Sequence, residues 1–354
     1  MKNKVLGEIV GLFCITILAD AWPLSRTQAN EATAIVSANQ AWAKRKTLRL
    51  KKELSIGTDD FDKENFVFGV IRDIEIDEEG CVYVLDGRNH RIQKYSREGA
   101  YLKTIGKGKG QGPGEFMRPM RMALGPNKSL YVGDQDKQQV ILFDGDGNYS
   151  SSIPIEGSFG DIVVGDNGDF YITKYFNLGE YAITSYDITT GKAKNGFCPN
   201  MKEYFKSGDT PQLAVDKEGS VYCSLFYPYD IYKYSPGGKL QMRFSRKAKF
   251  KPPRMNEMGS LSLASSSLAL TVFPDGKILN VIRHLSGTGP ERKAIFYFDI
   301  FSKEGQWLLS FSATPLETNW VRIVKIDSEG KLYLDYSDPY PHVKRYAIEI
   351  SDRQ

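Results

Sequence analysis

The chain has 354 residues, 47 Lys and Arg against 43 Asp and Glu, and a formal net charge of +4 at pH 7. The signs are mixed along the sequence, so the balance gives little support to nucleic-acid or membrane-surface binding. With 20 Tyr, 19 Phe and 33 Gly the composition excludes a disordered chain and suits many short strands joined by tight turns, as one large all-β domain or two ordinary ones.

Lys2 and Lys4 precede an apolar run from Ile9 to Ala19, and Ala19-Asp20-Ala21 supplies a small-x-small cleavage pattern. This is the build of a secretory signal peptide over residues 1–21, with a run short for a membrane span. Export to the periplasm or the extracellular space is expected, with no span left after cleavage; an uncleaved membrane anchor is the alternative. Bulky Phe13 before Cys14 does not suit lipidation. After cleavage Cys81, Cys198 and Cys223 remain, an odd number without Cys-x-x-Cys spacing. Neither a disulfide framework nor a thiolate metal site is expected, and Cys81 and Cys223 pack as small apolar groups in second strands of their repeats.

Residues 22–45 read as a linker and residues 46–354 as one domain. From Lys44 to Gly57 charged and apolar residues alternate, as in an exposed edge strand. The cations crowded between Lys44 and Lys52 belong to its solvated face rather than to a binding patch.

Four short runs follow: Ile74 to Asp77, Cys81 to Leu85, Arg91 to Tyr95 and Tyr101 to Ile105. Glu-Glu-Gly, Asp-Gly-Arg-Asn and Arg-Glu-Gly supply the turns between them. The unit recurs from Arg121, Asp161, Gln212, Ser267 and Val321, with Tyr83, Tyr131, Tyr171, Tyr222, Leu279 and Tyr333 in corresponding slots. A four-stranded repeat of this kind is a propeller blade. The sixth copy stops after three strands, and the spare strand Thr47 to Ile56 fills the vacancy and closes the ring. The expected fold is therefore all-β, a six-bladed β-propeller of four-stranded antiparallel blades closed by an N-terminal strand. The longest insertions, Pro199 to Pro211 and Arg246 to Ser267, are where specificity is expected.

Three stretches carry a family resemblance: Tyr83-Val84-Leu85-Asp86, then Arg88-Asn89-His90-Arg91-Ile92, then Gly112-Pro113-Gly114-Glu115-Phe116-Met117-Arg118-Pro119. In these the chain resembles the NHL-repeat family of propellers, most closely in the first repeat and fairly in the second. The resemblance implies a six-bladed binding platform. Relatives include sensor domains of bacterial membrane kinases, RNA-binding modules of animal regulatory proteins and an amidating lyase with a metal in its central channel. Fold does not select among these.

The candidate sites are few. The run Gly106 to Gly112 has neither Walker nor G-x-G-x-x-G spacing and reads as an inter-blade connector. His90, His284 and His342 fall at second-to-third-strand hairpins or in third strands, away from the channel, so a three-histidine metal site is not expected. Asp86, Asp134, Asp77, Asp216 and Asp327 stand where carboxylates bind their own turn backbone; no cofactor is expected, calcium being the one ion such groups would suit. The basic stretch Arg246 to Arg254 reads as a solvated loop.

Arg72, Arg121 and Arg322 each stand at or within one residue of the start of an innermost strand, in blades one, two and six, which neighbour one another in a closed ring. Such guanidinium groups suit a bidentate grip on an anionic ligand at the channel mouth. Asp73 and Asp161, at similar positions, are the alternative partners for them. The leading expectation is an exported, monomeric, non-catalytic module that binds a protein or an anionic small molecule. A metal-dependent lyase or lactonase-like hydrolase, with its ion in the channel, is the alternative; a nucleic-acid-binding NHL module is the second.

Overall fold

The computed structural model describes residues 35–36, 46–166, 168–174, 181–199, 211–225, 229–246, 254–255, 261–262, 265–286, 293–313 and 321–352. Among the described residues, six sheets each have an antiparallel four-stranded body that forms one blade. In blade one the strands are Ile71–Ile76, Val82–Asp86, Arg91–Tyr95 and Tyr101–Ile105. Local chemistry sets this pattern: the β-branched and aromatic runs favour extended backbone, and the turn after the first strand is fixed by Gly80, whose φ of 82° suits glycine. The Gly80 amide donates to the Asp77 carbonyl at 2.9 Å, which closes the turn.

Burial falls outward across the blade. The second strand is wholly buried, while the fourth alternates half-buried and exposed positions before ending in buried Ile105. Blades two to five begin with innermost strands Pro119–Leu124, Phe159–Val164, Gln212–Val215 and Ser265–Val272, and blade six with Val324–Ile326. Each innermost strand touches the next, and that of blade six touches that of blade one, so the six enclose a central channel.

The ring closes as the spare-strand pattern required. Lys46–Ile56 pairs antiparallel with His342–Asp352, from Lys46 opposite Asp352 to Ile56 opposite Val343, and completes blade six. In addition, Ile35–Val36 pairs parallel with Arg243 and Phe244 at the outer edge of blade four, inside the stretch expected as linker. Arg254–Met255 and Leu261–Ser262 pair within the expected Arg246 to Ser267 insertion. Among the described residues no helix is long and apolar enough to cross a membrane.

Among the described residues the hydrophobic core is divided into six clusters, each seated between two adjacent blades. Tyr83 of blade one packs with Leu130 and Val132 of blade two. Tyr131 packs with Ile162 and Ile172 of blade three, Tyr171 with Leu213 and Val221 of blade four, and Tyr222 with Leu270 and Ile278 of blade five. Leu279 packs with Val324 and Leu334 of blade six, and Tyr333 returns to Ile74 and Val84 of blade one. The recurring aromatic slot is thus the inter-blade wedge, each ring contributing roughly 1.5–3 kcal/mol by leaving water.

Candidate functional site

Strand register arranges the innermost side chains in layers. Glu75, Ala123, Ala214, Thr271 and Lys325 each lie opposite the slot residue of their blade, and Val163 lies opposite Tyr171. The next inward-facing layer, two residues nearer the strand start, holds Asp73, Arg121, Gln212 and Ala269, with Asp161 beside Thr173. Arg72 and Arg322 precede these at the channel mouth.

The two aspartates hold blades together. Asp73 Oδ1 accepts the amide of its own neighbour Ile74 at 2.9 Å, and Oδ2 accepts that of Met122 in blade two at 2.9 Å. Asp161 repeats the device with Ile162 at 3.0 Å and Leu213 of blade four at 2.9 Å. Charge-assisted bonds to backbone N–H groups of this kind are stronger than neutral ones. Arg121 Nε stands 3.8 Å from Asp161 Oδ1, so one expected arginine does face an expected aspartate. Asp73 instead faces Lys325, whose Nζ is 3.6 Å from its Oδ1 and 2.5 Å from Glu75 Oε1.

Arg322 Nε lies 3.6 Å from Asp335 Oδ2, while Asp335 Oδ1 accepts the Arg322 and Ile323 amides, each at 2.7 Å. Arg72 differs from both. Its side chain makes no hydrogen bond or ion pair with any described residue; burial first, and then the guanidinium groups of Arg322, Arg121 and Arg118, depress its pKa. An arginine does not discharge in response, so the cluster carries positive charge that lacks a counter-ion at Arg72.

Below the mouth, Asp73, Arg121, Asp161, Gln212, Leu268 and Arg322 border a cavity of about 40 Å³. This is room for a small end group or a few waters. The opposite end, with Glu75, Ala123, Val163, Ala214, Thr271 and Lys325 in its wall, widens to about 230 Å³. Burial lifts the Glu75 carboxyl from its ordinary 4.5 to about 7, Asp73 adding to the rise and Lys325 opposing it. Burial likewise raises Asp161. Burial works against the Lys325 charge, but Asp73, Glu75 and Asp161 outweigh it and hold the ammonium above its usual range.

The structure gathers Arg72, Arg121, Arg322, Asp73 and Asp161 at one end of the channel. Sequence reasoning missed Glu75 and Lys325, although a signal was present: both are charged where the same register position elsewhere holds Ala, Val or Thr. The other candidates are accounted for locally. His90 sits in the turn after the second strand with Nε2 3.1 Å from the Met117 carbonyl. His342 opens the third strand of blade six, with Nδ1 2.7 Å from the Tyr340 carbonyl. His284 lies in the second strand of blade five, Ile278–Ser286, not in a hairpin or third strand as expected, because that strand runs longer than its counterparts.

Asp77, Asp216 and Asp327 bind their own turns as expected. Asp86 and Asp134 also reach back to the amides that lead into the innermost strand, Gly69 at 3.1 Å and Met117 at 2.7 Å. Asp77, Glu79 and Cys81 are the one group of three metal-capable side chains among the described residues. The Asp77 oxygens there already accept the Glu79 and Cys81 amides and the Tyr83 hydroxyl. The glycine run is a connector, its Gly110 amide donating to the Phe116 carbonyl and its Gly108 carbonyl accepting from Phe116.

One expectation is corrected at Arg246, read as part of a solvated loop. Its Nε lies 2.6 Å from the fully buried Asp299, and its guanidinium lies over Tyr229, Tyr297 and Trp307. Desolvated ion pairing and cation–π contact hold it in the molecule. Residues 247–253 and 200–210, the bulk of the two basic and specificity-bearing insertions, lie outside the described residues.

A family model described as 6-bladed beta-propeller matches residues 62–258. No curated protein matches the sequence. Among solved structures the chain is similar to a member of the duf4221 family from Bacteroides vulgatus, at 10% identity and a TM-score of 0.65, covering 87% of this chain and 99% of that one. It is similar to a Bacteroides fragilis protein described as exported, at 14% identity and a TM-score of 0.60, with 91% and 100% covered. A streptogramin B lyase matches at 10% identity and a TM-score of 0.56, with 88% and 100% covered. Identities this low report shared fold alone.

Proposed function

Since the chain belongs to the 6-bladed beta-propeller family DUF5128, we propose that it is a non-catalytic binding module that takes an anionic group at the channel mouth. The observation that carries this reading is Arg72, a partly buried guanidinium without a carboxylate partner among the described residues and beside three other guanidinium groups. Such a group is stabilised by an anion that accepts two parallel N–H bonds, as a carboxylate, phosphate or sulfate does. The 40 Å³ below the mouth admits only an end group, so the remainder of the ligand lies across the blade face.

The finer parts of the proposal rest on sequence. The stretches Tyr83 to Asp86, Arg88 to Ile92 and Gly112 to Pro119 support an NHL-type platform. The signal-like residues 1–21 support export, in keeping with the similarity to a protein described as exported. A lyase or hydrolase reading would need metal ligands converging on the channel, and His90 and His342 are instead engaged by carbonyls of nearby loops.

The test is binding of anionic sugars and acidic peptides, measured by calorimetry on the wild type and on an Arg72→Ala/Arg322→Ala double variant. A loss of ten-fold or more in affinity is expected, each charge-assisted contact being worth roughly 1.5–3 kcal/mol. Unchanged affinity would overturn the proposal, and a stoichiometric metal ion in the purified protein would favour the lyase or hydrolase instead.

A further inference from the structure

We infer that Cys198 and Cys223 are a disulfide-forming pair that ties blade three to blade four. Cys198 lies at the end of the outermost strand of blade three, Ala193–Pro199, with a φ of 58°. Cys223 lies midway along the second strand of blade four, Val221–Leu225, paired with Leu213 and Tyr232 of its own sheet. Twenty-five residues apart in sequence, their Sγ atoms stand 3.9 Å apart, and both side chains are buried, at 2% and 0% exposure.

A disulfide requires a separation of about 2.0 Å, so the sulfurs need to approach by only about 2 Å, within reach of side-chain rotation. The surroundings leave little else for the pair to do. Leu213, Val221, Leu225 and Phe197 pack around it, and no described carboxylate or histidine joins it to form a metal site. In the folded pair, hydrogen bonding between the two thiols lowers the pKa of Cys198 and raises that of Cys223.

The exchange balances with a small-molecule disulfide as oxidant. One cysteine thiol gives its proton to solvent, and its thiolate attacks the oxidant, forming a mixed disulfide and expelling one thiolate, which takes up a proton. The other cysteine thiol then gives its proton to solvent, and its thiolate attacks the first cysteine's sulfur and expels the second thiolate, which also takes up a proton. Two protein thiols are oxidised and one external disulfide is reduced to two thiols. Burial keeps the oxidant from the docked pair, so the bond forms while blades three and four are coming together. It persists in the oxidising compartment to which the signal-like leader points.

The test is refolding of the reduced, unfolded full chain with oxidised glutathione, followed by alkylation in denaturant and peptide mass spectrometry. The expected product is lighter by two hydrogens, contains a Cys198–Cys223-linked peptide, and alkylates at Cys14 and Cys81. Its melting midpoint rises by on the order of 5 °C over the reduced protein. Cys223→Ser abolishes both the mass change and the response of the midpoint to reductant. Alkylation of all four thiols of the full chain after refolding, or a crosslink that uses Cys14 or Cys81, overturns the inference; so does a linked product that melts below the reduced protein.

Discussion

Asp216 shows how much one short side chain does in this fold. Its Oδ1 accepts the Glu218 and Ser220 amides at 3.1 and 2.8 Å, and its Oδ2 accepts the Tyr222 hydroxyl at 3.1 Å beside Lys233 Nζ at 3.0 Å. Lys233 in turn lies over the Tyr222 ring. The carboxylate therefore closes the turn and fixes the inter-blade wedge together; Asp77 and Asp327 serve Tyr83 and Tyr333 in the same way. Asp216→Ala leaves buried donors unpaired and should destabilise by on the order of 3 kcal/mol, whereas Asp216→Asn, which keeps an acceptor, should lose about half of that. Equilibrium unfolding in urea measures both. The role was legible in the sequence as an aspartate opening a turn, but its bond to an aromatic hydroxyl six residues on was not.

At the scale of elements, the strand Lys46–Ile56 closes the molecule. It covers the edge of His342–Asp352, and Ile56, buried, packs with Val343 and Tyr333 in the cluster shared by blades six and one. A chain that begins at Gly57 leaves the backbone N–H and C=O groups of this edge unpaired, a template for pairing with another chain. Light scattering should show such a variant larger than the wild type, with a lower melting midpoint, and a synthetic peptide spanning residues 46–57 should reverse both changes. A truncated protein that keeps the wild-type size and midpoint would show that closure does not depend on this strand. The vacancy in the sixth repeat makes this element legible in the sequence; the parallel pairing of Ile35–Val36 on blade four has no comparable signal, since two residues are too few for a period to show.

The channel is a property of the whole ring, because its charges come from blades one, two, three and six. Glu75, whose carboxyl is raised to about 7 in the folded protein, holds its proton more tightly there than in the unfolded chain at 4.5. Between these values the native state binds more protons, so this group's contribution is full below about pH 4.5 and is lost as pH rises through about 7. Thermal melts of Glu75→Gln and the wild type should therefore diverge as pH rises from 5 to 8, the variant gaining on the order of 1–3 kcal/mol relative to the wild type. Parallel pH curves would show that the carboxyl is not shifted. The repeat spacing, the slot aromatics and the turn residues by themselves determined six blades, their order and the manner of closure, because those features are local and periodic. The tertiary structure alone decided that Asp73 faces Lys325 while Arg121 faces Asp161, that Arg246 pairs with the buried Asp299, and that Cys198 meets Cys223. Each joins residues from different blades or insertions, and periodicity within a blade says nothing about which side chains meet across the gap between two.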